Sequence, residues 1–171
     1  MGKSADYPLD FMSRERLTIR TASEADAAAL SEIIRRALRE VNARDYEPAI
    51  IEAIAANFSR DKLLEAIRSR PVFVAALDGE IVGTGSLEGT TVRSMFVRPD
   101  HERRGIGAAL MRKIEALAIA RRIERLVLQS SITAEGFYRR HGFEAVRDHL
   151  HGRERTIVME KTLRSSHADG E

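Results

Sequence analysis

Two arginines and two glycines stand where an amphipathic helix is about to begin, in Arg103-Arg104-Gly105-Ile106-Gly107-Ala108. A helix N-terminus leaves backbone N–H groups unpaired and carries about half a positive charge from the macrodipole. Gly105 and Gly107 lack a β-carbon, so an anion can approach the backbone, and arginine can clamp phosphate with two hydrogen bonds. The chemistry this predicts is a cradle for phosphate, with room for a diphosphate. The competing account is that the glycines only let a helix pack tightly on a sheet. A Walker loop is excluded, because Gly107 is followed by Ala-Ala rather than Lys-Ser/Thr. A dinucleotide fingerprint fails as well. Gly105 lies well past the apolar run ending at Val97, and Leu110 occupies the position of the third small residue.

The elements that must hold this loop follow from the hydrophobic pattern. Arg16–Arg20 alternates like a strand, and Ser23 with Asp26 three residues on resembles a capping box opening a helix. Glu47–Phe58 reads as a second helix with Pro48 in its first turn, and Ser59 caps a third through Ser69. Asp78-Gly79 joins two apolar runs as a hairpin, and Thr90–Val97 is a further strand. Arg104–Ala120 is a helix with Ile106, Leu110, Ile114 and Leu117 on one face. A strand at Glu124–Gln129, a short helix at Thr133–His141 ending before Gly142, and strands at Phe143–Asp148 and Glu154–Leu163 complete the pattern. A polar loop is expected near His151-Gly152. Antiparallel strands followed by one strand–helix–strand crossover predict a mixed α/β sheet, with the glycine loop at the crossover.

The 171 residues predict one domain at 16–163, preceded by an extension at 1–15 and followed by a polar tail at 164–171. Lys and Arg total 28 against 26 Asp and Glu, which gives no case for nucleic acid. The chain has no cysteine, which removes disulfides, thiolate metal sites and a thiol nucleophile, and fits a reducing cytoplasm. No apolar run reaches the ~20 residues of a membrane span. His101-Glu102 lacks the second histidine of a zinc-protease helix, and His149 and His151 fall in the expected loop, so no metal is predicted.

The segment Phe96–Leu110, FVRPDHERRGIGAAL, resembles the acetyl-CoA signature of the GNAT superfamily of N-acetyltransferases. Val97-Arg98-Pro99 and Arg104-Gly105-Ile106-Gly107-Ala108 match that pattern, while its Gln/Arg slot falls on Glu102. Ser130–Val146 resembles the superfamily's C-terminal motif through Ala134, Phe137, Tyr138, Gly142 and Phe143, with Ser131 where asparagine is usual. The resemblance spans roughly residues 16–162.

It implies a mostly antiparallel sheet with a central splay between Thr91–Val97 and Glu124–Gln129. Acetyl-CoA would be co-substrate, its pantetheine pairing with backbone at Met95, Phe96 and Val97, its diphosphate on Arg103–Ala108, and Ser131 nearby. An amine of a small molecule or peptide would attack the thioester directly. Tyr138 stands where the superfamily places the acid for the leaving thiolate; the alternative is a packing residue. Glu88 is the candidate base, with a pKa raised by a desolvated cleft, or else a solvated turn residue. Asp45 and Tyr46, between predicted helices, are candidates for the acceptor cleft. A homodimer through the final strands is a further expectation, and a coenzyme A-binding domain without catalysis is the alternative function.

Overall fold

The computed structural model describes residues 16–163; the expected extension at 1–15 and tail at 164–171 lie outside them. Strand β1 (Leu17–Thr21) leads into α1 (Ala27–Glu40). Asp26 closes the entry to that helix, accepting Ser23 N at 2.7 Å and both ends of the Arg20 guanidinium at 2.8 and 3.0 Å. Helix α2 (Pro48–Ala55) opens on its proline, and α3 (Arg60–Ser69) is capped by Ser59 Oγ, which accepts Lys62 N. Strands β2 (Val72–Leu77) and β3 (Glu80–Glu88) form the hairpin expected at Asp78-Gly79, both residues having positive φ. There follow β4 (Thr91–Val97), α4 (Ile106–Ala120), β5 (Arg125–Ser131), α5 (Glu135–Arg140), β6 (Glu144–His151) and β7 (Glu154–Thr162). The polar loop expected near His151 is instead a tight turn at Gly152-Arg153. The β6–β7 ladder continues through the His149–Thr156 and His151–Glu154 pairs, so both histidines sit on a strand.

The seven strands run in the order β1-β2-β3-β4-β5-β7-β6, antiparallel except where β4 meets β5. The fold is thus a mixed α/β architecture with a mostly antiparallel sheet. Strand β2 is buried on both faces, as its unbroken VFVAAL run requires. Phe73 and Ala75 join Leu110, Ile114, Leu126 and Leu128 on the α4 side; Val72 and Val74 join Leu30, Ile34, Leu38 and Leu63 beneath α1–α3. Each large side chain so withdrawn from water contributes about 1.5–3 kcal/mol.

Two features of β4 set up the site. Against β3, Ser86 pairs with Arg93 and Thr84 with Phe96, so three steps on β4 face two on β3. The extra residue is a bulge, with Ser94 at φ 54°; Ser86 Oγ donates to Arg93 O at 2.9 Å beside it. Against β5, β4 pairs through Thr91–Val127 alone. Beyond that point the strands part, while β5 stays fully paired to β7 from Arg125 to Ser131. A bulge bends its strand and increases the local twist, which is the physical reason β4 leaves its parallel neighbour.

Candidate functional site

The gap between β4 and β5 opens into a cleft of about 1130 Å³. Its walls gather residues far apart in sequence: Met95, Phe96 and Val97 from β4, Gly105–Ala108 from the head of α4, and Ser131 and Tyr138 around α5. Arg103 lines it too, whereas Arg104 does not. Because β4 lacks a ladder partner on this side after Thr91, the backbone of Met95–Val97 is free to pair with an extended ligand.

At the wider end lies the start of α4. The first bond of its ladder runs from Ala109 N to Gly105 O at 3.0 Å, so the N–H groups of Ile106, Gly107 and Ala108 precede it. The two glycines serve different purposes. Gly105 has φ 76°, a left-handed turn, and a β-carbon there would meet open space. At Gly107 a β-carbon would come within 2.9 Å of Phe137 Cε2, so this glycine permits α5 to close on α4. The packing account therefore fits Gly107, whereas at Gly105 the turn is left open. The turn before α4 is pinned by Arg98, whose guanidinium reaches Glu80 Oε1 at 2.6 Å and Asp100 Oδ1 at 2.7 Å.

Tyr138 is buried at 7% exposure, edge-on to Phe137 and Phe143 at centroid distances of 5.3 and 5.7 Å. Burial pushes its phenol above the ordinary tyrosine value, so it keeps its proton throughout the neutral range. Ser131 turns the chain into α5: its Oγ accepts Ala134 N at 3.1 Å.

Glu88 corrects an expectation. Arg70 Nη1 donates to its Oε2 at 2.6 Å and Arg93 Nε to its Oε1 at 3.0 Å. The Arg70 hydrogen bond, then the charge of Arg93, hold the carboxyl below its usual range, the reverse of the raised pKa a base requires. Asp45 is also displaced from its expected place. It lies outside the cleft lining and accepts Thr133 Oγ1 at 2.7 Å, tying the α1–α2 connection to the β5–α5 turn. Tyr46 does line the cleft, but its hydroxyl is committed, donating to Arg155 O at 2.7 Å and accepting Ile132 N at 2.8 Å. It bolts the α1–α2 segment to the far half of the sheet. Tyr46→Phe removes both bonds and strands two backbone groups, which is expected to cost about 1–3 kcal/mol in chemical denaturation. An unchanged midpoint would show that the bolt carries no stability.

Sequence reasoning missed the Ser94 bulge, the Gly107–Phe137 contact and the Arg70–Glu88–Arg93 cluster. Only the last left a signal, a lone arginine within the apolar strand TVRSMFV. Among the described residues no group of three or more His, Cys, Asp or Glu could hold a metal, and no helix is long and apolar enough to cross a membrane.

The acetyltransferase (GNAT) domain family matches residues 68–145, from the end of α3 into β6, which includes the parted strands and the glycine loop. A GCN5-related N-acetyltransferase from Rhodopseudomonas palustris superposes with a TM-score of 0.81 at 28% identity, covering 85% of this chain and 95% of that one. Residues 68–145 thus carry a GNAT-type acetyltransferase domain. The chain is also 28% identical over 131 residues to the uncharacterized N-acetyltransferase YafP of Escherichia coli (strain K12), spanning 77% of this chain and 83% of that relative. The PaiA N-acetyltransferase of Thermoplasma acidophilum, solved in complex with coenzyme A, shares the fold at a TM-score of 0.74 and 21% identity, over 86% of this chain and 99% of that one.

Proposed function

We propose that this acetyltransferase moves the acetyl group of acetyl-CoA to a primary amine of a small molecule or peptide by direct attack. The observation that carries the reading is the single Thr91–Val127 pairing, after which β4 and β5 part and expose backbone at Met95–Val97 above the head of α4. The coenzyme A held by the Thermoplasma relative supports the same ligand class. Met95–Val97 hold the pantetheine arm as an added strand would be held, and the amides of Ile106–Ala108 with Arg103 take the diphosphate. The backbone N–H of Phe96 or Val97 faces the carbonyl oxygen as it gains charge.

The thioester supplies an activated acetyl carbon. The amine nitrogen forms the new C–N bond as the C–S bond breaks, and the sulfur leaves as thiolate. Tyr138, neutral because buried, donates its hydrogen bond or proton to that sulfur. The attacking nitrogen's surplus proton passes to water. Glu88, locked between two arginines, does not take it. The cysteine-free chain is assigned to a reducing cytoplasm.

Calorimetric titration with acetyl-CoA, followed by thiol release on an amine panel, tests the reading. Micromolar or tighter binding with amine-dependent release and an N-acetyl product is the expected result. Binding without transfer would leave a coenzyme A-binding domain, and no binding would remove the reading.

A further inference from the structure

The acceptor half of the cleft has a charge of its own. Outside the loop at 101–108 and the α5 region, the charged side chains lining it are Arg44, Arg70, Arg93 and Arg147 against Glu88 and Glu154. Four guanidinium groups thus face two carboxylates, in a chain whose overall charge is only +2. Among the described residues neither Arg44 nor Arg147 makes an ion pair. Half of that excess lies at the Glu88 cluster, where Arg70 and Arg93 share one carboxylate. A guanidinium carries five N–H donors, and Arg93 spends only Nε, on Glu88. Its two terminal nitrogens form an open planar fork on a side chain that is 51% exposed. Beside it, Arg70 Nη1 is taken by Glu88, while its Nε is buried with no hydrogen-bond partner among the described residues. Glu88 therefore behaves as a positioning residue, holding two guanidinium groups against one carboxylate in the cleft wall.

That wall adjoins the proposed chemistry. Arg93 and Phe96 flank the Ser94 bulge on β4, and both line the cleft. An acceptor that touches both would carry an anionic group on the same small molecule as its amine. A paired guanidinium fork matches a carboxylate in shape and charge, and a cationic or neutral acceptor would leave the fork unused. We propose that the acceptor carries a carboxylate as well as its amine, an amino acid or short peptide, and that this carboxylate docks on the Arg93 fork beside Arg70. This rests on the acetyl-transfer reading above. The carboxylate takes no part in the bond changes; it holds the amine in line with the thioester.

The test compares free amino acids and dipeptides with their carboxamides, their decarboxylated amines and spermidine, reading kcat and KM separately. The best acceptor is expected to be a carboxylate, with kcat/KM at least about tenfold above its carboxamide. Arg93→Gln, at an exposed position, is expected to erase that preference mainly through KM, with the acetyl-CoA Kd from calorimetry unaltered. Arg93→Lys restores only part of it, since an ammonium lacks the fork. Amides or spermidine acetylated as well as the carboxylates would overturn the proposal, as would a preference that survives Arg93→Gln. Either result leaves acetyl transfer standing. Failure to bind acetyl-CoA would sink both readings together.

Discussion

Replacing Tyr138 with Phe is expected to lower kcat by about 10²–10⁴-fold while the Kd for acetyl-CoA stays within about threefold. The ring is what packs: it lies edge-on to Phe137 and Phe143 and belongs to the core beneath α4, and phenylalanine keeps that ring in place. Only the hydroxyl is lost, and its proposed work is on the departing sulfur, in the transition state. A loss confined to kcat is the signature of an interaction made there and absent in the ground state. Burial gives the wild-type enzyme a further signature. The phenol's pKa is raised, so the protonated form is the one present at neutral pH and persists as pH climbs. The acceptor amine must lose a proton, so activity is expected to rise with pH. The falling limb attributable to Tyr138 then lies above the ordinary tyrosine value of about 10. Equal losses in kcat and affinity, or a variant with wild-type turnover, would return Tyr138 to a packing role.

Where local chemistry dictated local structure, the sequence was readable. The hairpin turn at Asp78-Gly79, the proline opening α2, the Ser59 cap and the apolar face of α4 each follow from residues within one or two turns. The cleft was legible through its two motifs, because the residues gathered there, from Met95 to Tyr138, belong to segments with recognisable patterns. The misplacements share a cause. Glu88 and Asp45 are read from neighbours in the chain, yet their contacts are with Arg70 and Thr133, 18 and 88 residues away. The hydroxyl of Tyr46, which does line the cleft, is taken by Ile132 and Arg155, 86 and 109 residues away. A carboxylate beside a strand end carries no mark of which guanidinium will reach it. The His151 turn was misread for a related reason. Its polar residues suit a loop, and only pairing with β7 makes them an edge strand.

Gly107→Val is the substitution expected to harm coenzyme binding most. A β-carbon at this position would stand 2.9 Å from Phe137 Cε2 and 3.1 Å from Cζ, closer than such contacts tolerate, and valine adds two methyl groups beyond it. Phe137 packs against His141, with ring centroids 4.3 Å apart and planes tilted by 36°, and edge-on to Tyr138, so both neighbours on α5 resist a shift of its ring. Overpacking of this kind costs about 1–3 kcal/mol, and every 1.4 kcal/mol is tenfold in affinity. The expected result is therefore an acetyl-CoA Kd weakened by about 5- to 150-fold. A fall in kcat is expected with it, because Tyr138 moves with its neighbour. Gly105→Ala is the informative contrast. It fills open space and pays only for a left-handed backbone, about 1–2 kcal/mol, in stability and with no push on α5. If the clash is the cause, Phe137→Leu in the Gly107→Val background relieves it, and part of the lost affinity returns in a double-mutant cycle. Additive losses would mean that the contact between α4 and α5 does not shape the coenzyme site.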